Sequence, residues 1–228
     1  MKRKIKVILI GIILIIVFSG IIFFTITKKS TNSNNGLKKS ESELSSYLEK
    51  FKNATYHTEL VYYIDTPELE DIHHKFTEYN YDGSIEEYLI SGEENETIVQ
   101  QYKDYSNKKQ YILDVNQYKT TSLKVMSHKN MLIEVLEEAE VNGKTDNTIP
   151  ITLKKEKVEK YLTELNKHDS ASLKYNENAL YEGIVNIKGT NITSIIIKEK
   201  DSDKDIVYQF NKIGGIDKIE LPKNVKSN

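Results

Sequence analysis

The chain of 228 residues contains no cysteine and no tryptophan. The absence of cysteine excludes disulfide bonds, a thiolate metal site and a cysteine nucleophile. It also excludes a lipid anchor attached to a cysteine side chain. A domain of roughly 190 residues can bury an adequate hydrophobic core without such cross-links.

Recognisable catalytic motifs are also absent from the sequence. There is no Gly-x-Ser-x-Gly nucleophile motif, no phosphate-binding glycine loop and no His-Glu-x-x-His metal motif. We therefore predict a protein that is not an enzyme and that uses no cofactor.

Charge is missing from one long stretch, the 21 uncharged and mostly apolar residues between Lys6 and Lys28. As a helix this stretch would be about 31 Å long, which matches the hydrocarbon core of a bilayer. Its end lacks the Ala-x-Ala pattern of a cleaved signal peptide. The sequence therefore predicts an uncleaved transmembrane anchor over residues 7–27.

The charges around this stretch indicate its orientation. Four cations lie within residues 1–6, whereas Lys28 and Lys29 follow the apolar run. The side with more cations normally stays in the cytoplasm. We predict a single-pass cell-membrane protein with residues 1–6 in the cytoplasm and the large C-terminal part outside the cell.

A polar segment separates the anchor from a folded domain. Residues 28–39 have no apolar period, which is typical of a flexible linker. Ser40 and Glu43 have the spacing of a capping box, and apolar residues follow at helical spacing. The sequence predicts a helix over 41–52, at the start of an extracytoplasmic domain over 40–228.

After this helix the apolar period changes to two. Asp82-Gly83 is a strong signal for a two-residue hairpin turn. Short connections of this kind favour an antiparallel meander over βαβ units. Five strands are predicted, over residues 55–64, 72–81, 85–90, 97–104 and 110–115.

The middle of the chain has helical periodicity, and strands resume after it. Ser127 can cap a first helix, and Pro150 and Thr152 precede a second. Further strands are predicted over 180–187, 192–198, 206–210 and 218–221. Because helices and strands are segregated, the predicted fold is α+β: a curved antiparallel sheet of about eight or nine strands, a half-barrel, packed on helices.

The order of these elements, together with the closing sequence Tyr208-Gln-Phe-Asn…Ile219-Glu-Leu-Pro222, resembles a known superfamily. This is the half-barrel superfamily of periplasmic lipoprotein carriers of the LolA and LppX type, which includes surface lipoproteins of Gram-positive bacteria. The resemblance covers roughly residues 40–225. It implies an unclosed sheet around helices, with an apolar cavity that holds acyl chains in many members. The chain differs from the lipidated relatives because its predicted anchor is a helix.

The leading functional hypothesis is an extracytoplasmic protein that binds a lipid or acyl ligand, or an envelope protein partner, in a half-barrel groove. The predicted groove walls are alternating strand residues: Leu60, Tyr62, Ile64, Val185, Ile187, Ile195, Ile197, Tyr208 and Phe210. The alternative is a structural or sensory interaction module of the cell envelope, with a filled core and no ligand.

Residues 59–98 carry twelve carboxylates and a single Lys or Arg, Lys75. We interpret this segment as the solvated outer face of the meander, which discourages edge pairing. A face that binds cations or a basic partner is the alternative. The negative charge excludes nucleic acid as a partner, because such binding depends on cationic contacts to phosphate.

The histidines do not form a metal-binding motif in the sequence. His73 and His74 are adjacent on a predicted strand, so their side chains point to opposite faces. The remaining three are isolated along the chain: His57, His128 and His168. We therefore predict no metal site from them.

Residues 201–205, with an aspartate at every second position, imitate the start of a calcium loop. Such a loop needs glycine at its sixth position and glutamate at its twelfth. Ile206 and Lys212 stand there instead. The segment is therefore predicted to be a polar hairpin tip.

Overall fold

A computed structural model of the chain describes residues 34–64, 73–92, 96–169 and 171–226. These ranges contain three helices: α1 (Asn34–Lys52), α2 (His128–Leu136) and α3 (Lys155–Asp169). They also contain eleven strands: β1 (Tyr56–Ile64), β2 (His73–Tyr81), β3 (Ile85–Ser91), β4 (Thr97–Asp104), β5 (Lys109–Asp114), β6 (Gln117–Ser122), β7 (Glu140–Val141), β8 (Thr148–Leu153), β9 (Tyr181–Lys188), β10 (Asn191–Glu199) and β11 (Asp205–Asn211).

All eleven strands form one open sheet in the order β6-β5-β4-β3-β2-β1-β11-β10-β9-β8-β7. Every neighbouring pair is antiparallel. Two meanders meet where β1 pairs with β11, and there Leu60 lies opposite Tyr208. The predicted α+β class and antiparallel sheet are confirmed, with eleven strands instead of eight or nine.

Two local predictions are confirmed by their hydrogen bonds. Between β2 and β3, Asp82 Oδ1 accepts hydrogen bonds from the backbone N–H groups of Ser84 and Ile85, at 2.9 and 2.8 Å. Gly83 in this turn has a φ of +111°, which few other residues adopt. Ser127 caps α2, because its hydroxyl oxygen accepts from the backbone N–H of Asn130 at 3.2 Å.

Three strands were not predicted. The edge strand β6 is Gln-Tyr-Lys-Thr-Thr-Ser, which has no apolar alternation to reveal it. β8 contains Pro150, which the sequence analysis interpreted as a helix signal, and β7 has only two residues. Proline fits here because β8 lies next to the edge of the sheet, beside that short strand.

The prediction of a last strand over 218–221 is wrong. These residues have no regular structure, and the chain instead attaches to β6 a few residues later. The backbone N–H of Tyr118 donates to Asn224 O at 3.0 Å, and that of Lys226 donates to Tyr118 O at 2.9 Å. Within 218–221, the backbone N–H of Ile219 donates to the Asp82 side chain, Oδ2, at 2.9 Å, and not to a neighbouring strand.

α1 begins at Asn34, inside the segment 28–39 that we predicted to be a linker, so Ser40 and Glu43 lie within the helix. Lys38 and Lys39 are good helix formers, which is compatible with this earlier start. The predicted anchor 7–27 lies outside the described residues. Among the described residues, none of the helices is long and apolar enough to span a bilayer.

The unit Leu37–Asn228 has one hydrophobic core on the inner face of the sheet, beneath the three helices. The Phe51 ring of α1 contacts Tyr56 and Phe210 of the sheet, with ring centroids 5.4 and 5.0 Å away. Each helix contributes buried apolar side chains to this core, among them Leu48, Leu132 and Leu165. Amphipathic helices that cover one face of the sheet explain the segregated sequence pattern.

Candidate functional site

The structure brings the predicted groove-wall residues together on the inner face of the sheet. Direct cross-strand neighbours connect Leu60 to Tyr208, Tyr208 to Ile195 and Ile195 to Val185. Eight of the nine are buried, and the ninth, Ile64, is partly buried against the same core. The eight are Leu60, Tyr62, Val185, Ile187, Ile195, Ile197, Tyr208 and Phe210.

Helices cover these wall residues in the observed conformation. The Tyr161 hydroxyl of α3 lies 3.0 Å from that of Tyr208, and Phe51 of α1 packs edge-on against Phe210. The nine side chains therefore act as core residues here. Their contact with a ligand stays a prediction.

A separate cavity of about 250 Å³ lies between α1 and the segment that runs from the end of α2 to β7. Its floor is apolar: Leu44, Leu48, Leu136, Ala139 and Val141. Its rim is polar: Ser45, Glu49, Lys52 and Glu137. The floor residues belong to the hydrophobic core or pack against it, so the core bounds the cavity on this side. We call it the α1 cavity.

A lysine flanked by two carboxylates marks the rim of the α1 cavity. Lys52 Nζ lies 2.6 Å from Glu49 Oε1 and 2.9 Å from Glu137 Oε1. Hydrogen bonds to Glu49 and then Glu137 raise the pKa of Lys52 above its ordinary value. These ion pairs are exposed to water, so each contributes little to stability and can be exchanged for another anion.

A second group of polar side chains lies inside the molecule, between β3, β4, α2 and α3. We call it the buried polar cluster: Glu86, Tyr88, Lys103, Tyr105, His128, His168 and Asp169. The side chains of Glu86, His128 and His168 have no exposed surface, and those of Lys103 and Asp169 are 2% and 6% exposed. Charged groups are rarely buried so deeply unless they are paired with one another.

Two imidazoles lie between two carboxylates in this cluster. Glu86 Oε2 is 3.3 Å from His128 Nδ1 and 3.4 Å from His168 Nε2. On the other side, Asp169 Oδ2 is 3.4 Å from His128 Nε2, and Asp169 Oδ1 is 2.9 Å from His168 Nδ1. Each imidazole therefore has one nitrogen facing Glu86 and the other facing Asp169.

Two tyrosine hydroxyls and a lysine complete the hydrogen bonding. The hydroxyls of Tyr105 and Tyr88 donate to Glu86 Oε2 at 2.6 and 3.0 Å. Lys103 Nζ lies 2.7 Å from His168 Nδ1 and donates to the His168 carbonyl oxygen at 3.0 Å. The lysine thus approaches the Asp169 side of the His168 ring.

Burial and pairing have opposite effects on the pKa values of these groups. Burial alone would lower the pKa of His128, but the carboxylates of Glu86 and Asp169 raise it to about 9. Burial lowers the pKa of Lys103 to about 8, against the attraction of Asp169 and Glu86. Although burial opposes it, His128 holds the pKa of Glu86 well below its ordinary value.

The sequence analysis missed this cluster. It assigned Glu86 to the solvated acidic segment and treated His128 and His168 as isolated. One signal was present: Glu86 and Tyr88 lie two residues apart, so they share a face of β3, and Tyr88 is a core residue. A carboxylate on the apolar face of a strand indicates a buried partner.

The ligand candidates considered from the sequence lie elsewhere. His74 Nε2 is 2.8 Å from Asp205 Oδ1, and His57 Nε2 is 3.2 Å from Glu78 Oε1. Each of these pairs joins one histidine to one carboxylate.

No family model and no curated protein sequence matches the chain. Among similar solved structures, LprF from Mycobacterium bovis is 9% identical, with 83% of this chain and 98% of that chain covered, at a TM-score of 0.45. A LolA superfamily protein from Nitrosomonas europaea is 10% identical, with 78% and 94% covered, at a TM-score of 0.33. A MucA/MucB complex from Pseudomonas aeruginosa is 6% identical, with 77% and 56% covered, at a TM-score of 0.30.

The superfamily that the sequence resembles is thus represented among the similar structures. Because the TM-scores of these similar structures are below 0.5, they carry no argument about the function of this chain.

Proposed function

We propose that this chain is a membrane-tethered extracytoplasmic protein that binds an apolar ligand, an acyl chain, without catalysing a reaction. The apolar run 7–27 would be the tether, with residues 1–6 in the cytoplasm. The observation that carries the binding proposal is the α1 cavity, with its apolar floor and charged rim.

The chemistry of the α1 cavity suits one end of an amphiphile. A methylene group contributes about 0.8 kcal/mol when it leaves water for an apolar site. Floor residues such as Leu48 and Leu136 would contact the chain, and the Lys52 ammonium could exchange a carboxylate partner for an anionic headgroup. The volume of about 250 Å³ suits only part of a long acyl chain.

A longer ligand would reach the predicted wall residues by displacing α1. The Phe51 ring of α1 covers Phe210, and the wall residues continue from there across β11, β10 and β9. An outward movement of α1 would therefore join the α1 cavity to the inner face of the sheet. We propose the nine wall residues as contacts for this deeper part of the ligand.

The binding proposal is tested with the unit Leu37–Asn228, after circular dichroism confirms that it folds. We expect this unit to enhance the fluorescence of an acyl-chain fluorophore, and hexadecanoate to displace the probe. Ser45→Phe places a ring at the rim of the α1 cavity and should weaken binding about tenfold or more, equivalent to about 1.4 kcal/mol. The matched control is Ser46→Phe, the next residue of the same helix.

Ser46 does not line the α1 cavity, so its variant should bind as the parent does. A folded unit that takes up no probe would contradict the acyl-chain proposal. Equal weakening by both substitutions would contradict the assignment of the site to the α1 cavity.

A second candidate function is an interaction module that docks a protein partner through the outer face of the sheet. One row of direct cross-strand neighbours on that face is entirely apolar: Pro150, Ile184, Ile196, Val207, Val61 and Phe76. Phe76, at one end of the row, is 49% exposed. A folded unit without acyl-chain binding would favour this function.

A further inference from the structure

We propose that the buried polar cluster is a zinc site in which Glu86, His128 and His168 are the protein ligands. These three side chains come from β3, α2 and α3, so the ion would connect two helices to the sheet. The site is independent of the α1 cavity, since the cavity lining includes none of the three residues.

The distances between the candidate ligand atoms fit a tetrahedral ion. Zinc binds nitrogen and oxygen ligands at about 2.0–2.2 Å, so two ligands of a tetrahedral site lie roughly 3.3 Å apart. Glu86 Oε2 is 3.3 Å from His128 Nδ1 and 3.4 Å from His168 Nε2. These three side chains offer ligand atoms that all lie within 4.8 Å of one another.

Two tyrosine hydroxyls, those of Tyr88 and Tyr105, lie beside the three candidate ligand atoms. The Tyr88 hydroxyl oxygen lies 3.0 Å from Glu86 Oε2, 3.3 Å from His128 Nδ1 and 3.5 Å from His168 Nε2. It is also 3.2 Å from His168 Nδ1. Tyr88 is itself buried. The Tyr105 hydroxyl oxygen is 2.6 Å from Glu86 Oε2 and 2.9 Å from His168 Nε2. Either hydroxyl is therefore close enough to these ligand atoms to supply a fourth ligand.

Asp169 faces both imidazoles and is hydrogen-bonded to that of His168. Its two oxygens face the nitrogens that point away from Glu86, at 2.9 Å from His168 Nδ1 and 3.4 Å from His128 Nε2. A carboxylate in the position of Asp169 Oδ1 can hold the proton on His168 Nδ1 and leave a lone pair on Nε2, as in many zinc sites. Lys103 Nζ, at 2.7 Å from the same Nδ1, would have to move away from that nitrogen. The His168 lone pair would then face Glu86 Oε2.

Two of these buried atoms also lack a hydrogen bond within the described part of the chain. They are His128 Nε2 and Asp169 Oδ2, which face each other at 3.4 Å. Buried polar atoms without a partner are rare.

The ligand types favour zinc over the hard divalent ions. Imidazole nitrogens suit zinc, whereas magnesium and calcium prefer oxygen ligands. The carboxylates of Glu86 and Asp169 supply two negative charges to this cluster, and the Lys103 ammonium supplies one positive charge. Lys103 Nζ lies 2.7 Å from His168 Nδ1, 3.5 Å from His168 Nε2 and 3.3 Å from the Tyr88 hydroxyl oxygen, so a bound ion requires this ammonium to move away from His168.

The experiment uses the full chain, purified in detergent, stripped with a chelator and then dialysed against zinc. We expect about one zinc per chain by elemental analysis and a higher melting temperature with zinc than without, because the ion binds only the folded state. Cobalt should replace zinc and show the visible absorption bands of a tetrahedral Co²⁺ complex. Less than a tenth of an equivalent of zinc, with no change in melting temperature, would overturn the proposal.

Variants assign the ligands. Glu86→Gln keeps the shape of the side chain and should lose the bound zinc, whereas Asp169→Asn should weaken zinc binding about 10–100-fold. His74→Gln, which alters an exposed histidine paired with Asp205, is the matched control and should retain zinc. Full zinc occupancy in a folded Glu86→Gln would overturn the assignment. If that variant does not fold, the cobalt spectrum of the parent chain decides, since its absence contradicts the site.

Discussion

Tyrosine is the dominant large residue of this core. Four tyrosines are fully buried: Tyr56, Tyr62, Tyr79 and Tyr208. Their rings pack against phenylalanine, histidine and one another, as with Tyr56 on Phe51 and Tyr79 on His128. Aromatic rings of this kind combine a large apolar area with a polar tip, which suits a sheet whose inner face also contains a polar cluster.

Alkaline pH should therefore destabilise the fold. Burial raises the pKa of Tyr56, Tyr79 and Tyr208 well above the ordinary value. Above about pH 10 the unfolded chain loses these protons while the folded chain keeps them, so the free energy of unfolding falls as pH rises, by up to about 1.4 kcal/mol per pH unit for each such tyrosine. Urea unfolding between about pH 8 and pH 11 measures this. A urea midpoint that stays constant over this pH range would contradict the predicted destabilisation.

Leu132 tests the packing of α2 on the sheet. Its side chain is fully buried in the core, so Leu132→Ala should lower the free energy of unfolding by about 2–5 kcal/mol. Leu180→Ala is the control, because Leu180 is 55% exposed and its truncation should change the value by less than about 0.5 kcal/mol. Similar effects of both substitutions in urea unfolding would show that α2 does not pack as described.

At the scale of elements, the hairpin between β5 and β6 contains a strained residue. Val115 has a φ of +60° and is 84% exposed. A β-branched residue in this conformation costs about 1–2 kcal/mol relative to one that accepts it freely, and two-residue hairpins prefer glycine there.

Val115→Gly should thus raise the free energy of unfolding by about 1 kcal/mol. The control is Val99→Gly in the strand β4, where glycine adds flexibility and removes a partly buried side chain, so it should lower stability. Chemical denaturation measures the free energy of unfolding of each variant. A loss of stability in Val115→Gly would contradict the strained turn.

Elements with a strong local signal could be predicted from the sequence. The Asp82-Gly83 turn and the Ser127 cap depend on residues within four positions of one another, and both are present. The strand β6 and the start of α1 were missed because their residues are polar, and the pairing of β6 with β5 supplies what local preference does not. Pro150 was interpreted as the start signal of a helix, but it lies in β8. Its position near the edge of the sheet depends on tertiary structure and not on the local sequence.

The two candidate sites were beyond the reach of local patterns. The buried polar cluster joins Glu86 to His128 and His168, which are 42 and 82 positions further along the chain. The α1 cavity depends on how α1 packs beside the segment after α2. The alternation of apolar and polar residues predicts which side chains share a face of the sheet, as it did for Leu60 and Tyr208. It does not reveal which helix covers that face.

At the scale of the whole molecule, the first and last strands meet in the middle of one sheet, and the helices cover the inner face. Pairing β1 with β11 makes the sheet depend on a contact between distant parts of the chain. The buried polar cluster holds α2 and α3 against this sheet, whereas α1 borders a cavity. We infer that α1 is the helix that moves when a ligand enters.

Photo-cross-linking of an acyl chain to the full-length protein in membranes tests the binding proposal most directly. A fatty acid with a diazirine on its chain is activated by light, and the labelled peptides are identified by mass spectrometry. We expect labels on the lining residues of the α1 cavity, which lie within the segments 44–52 and 136–141, and a reduced yield there in Ser45→Phe. Labels confined to residues 7–27, or equal yields in the Ser45→Phe and Ser46→Phe variants, would contradict acyl-chain binding by this domain.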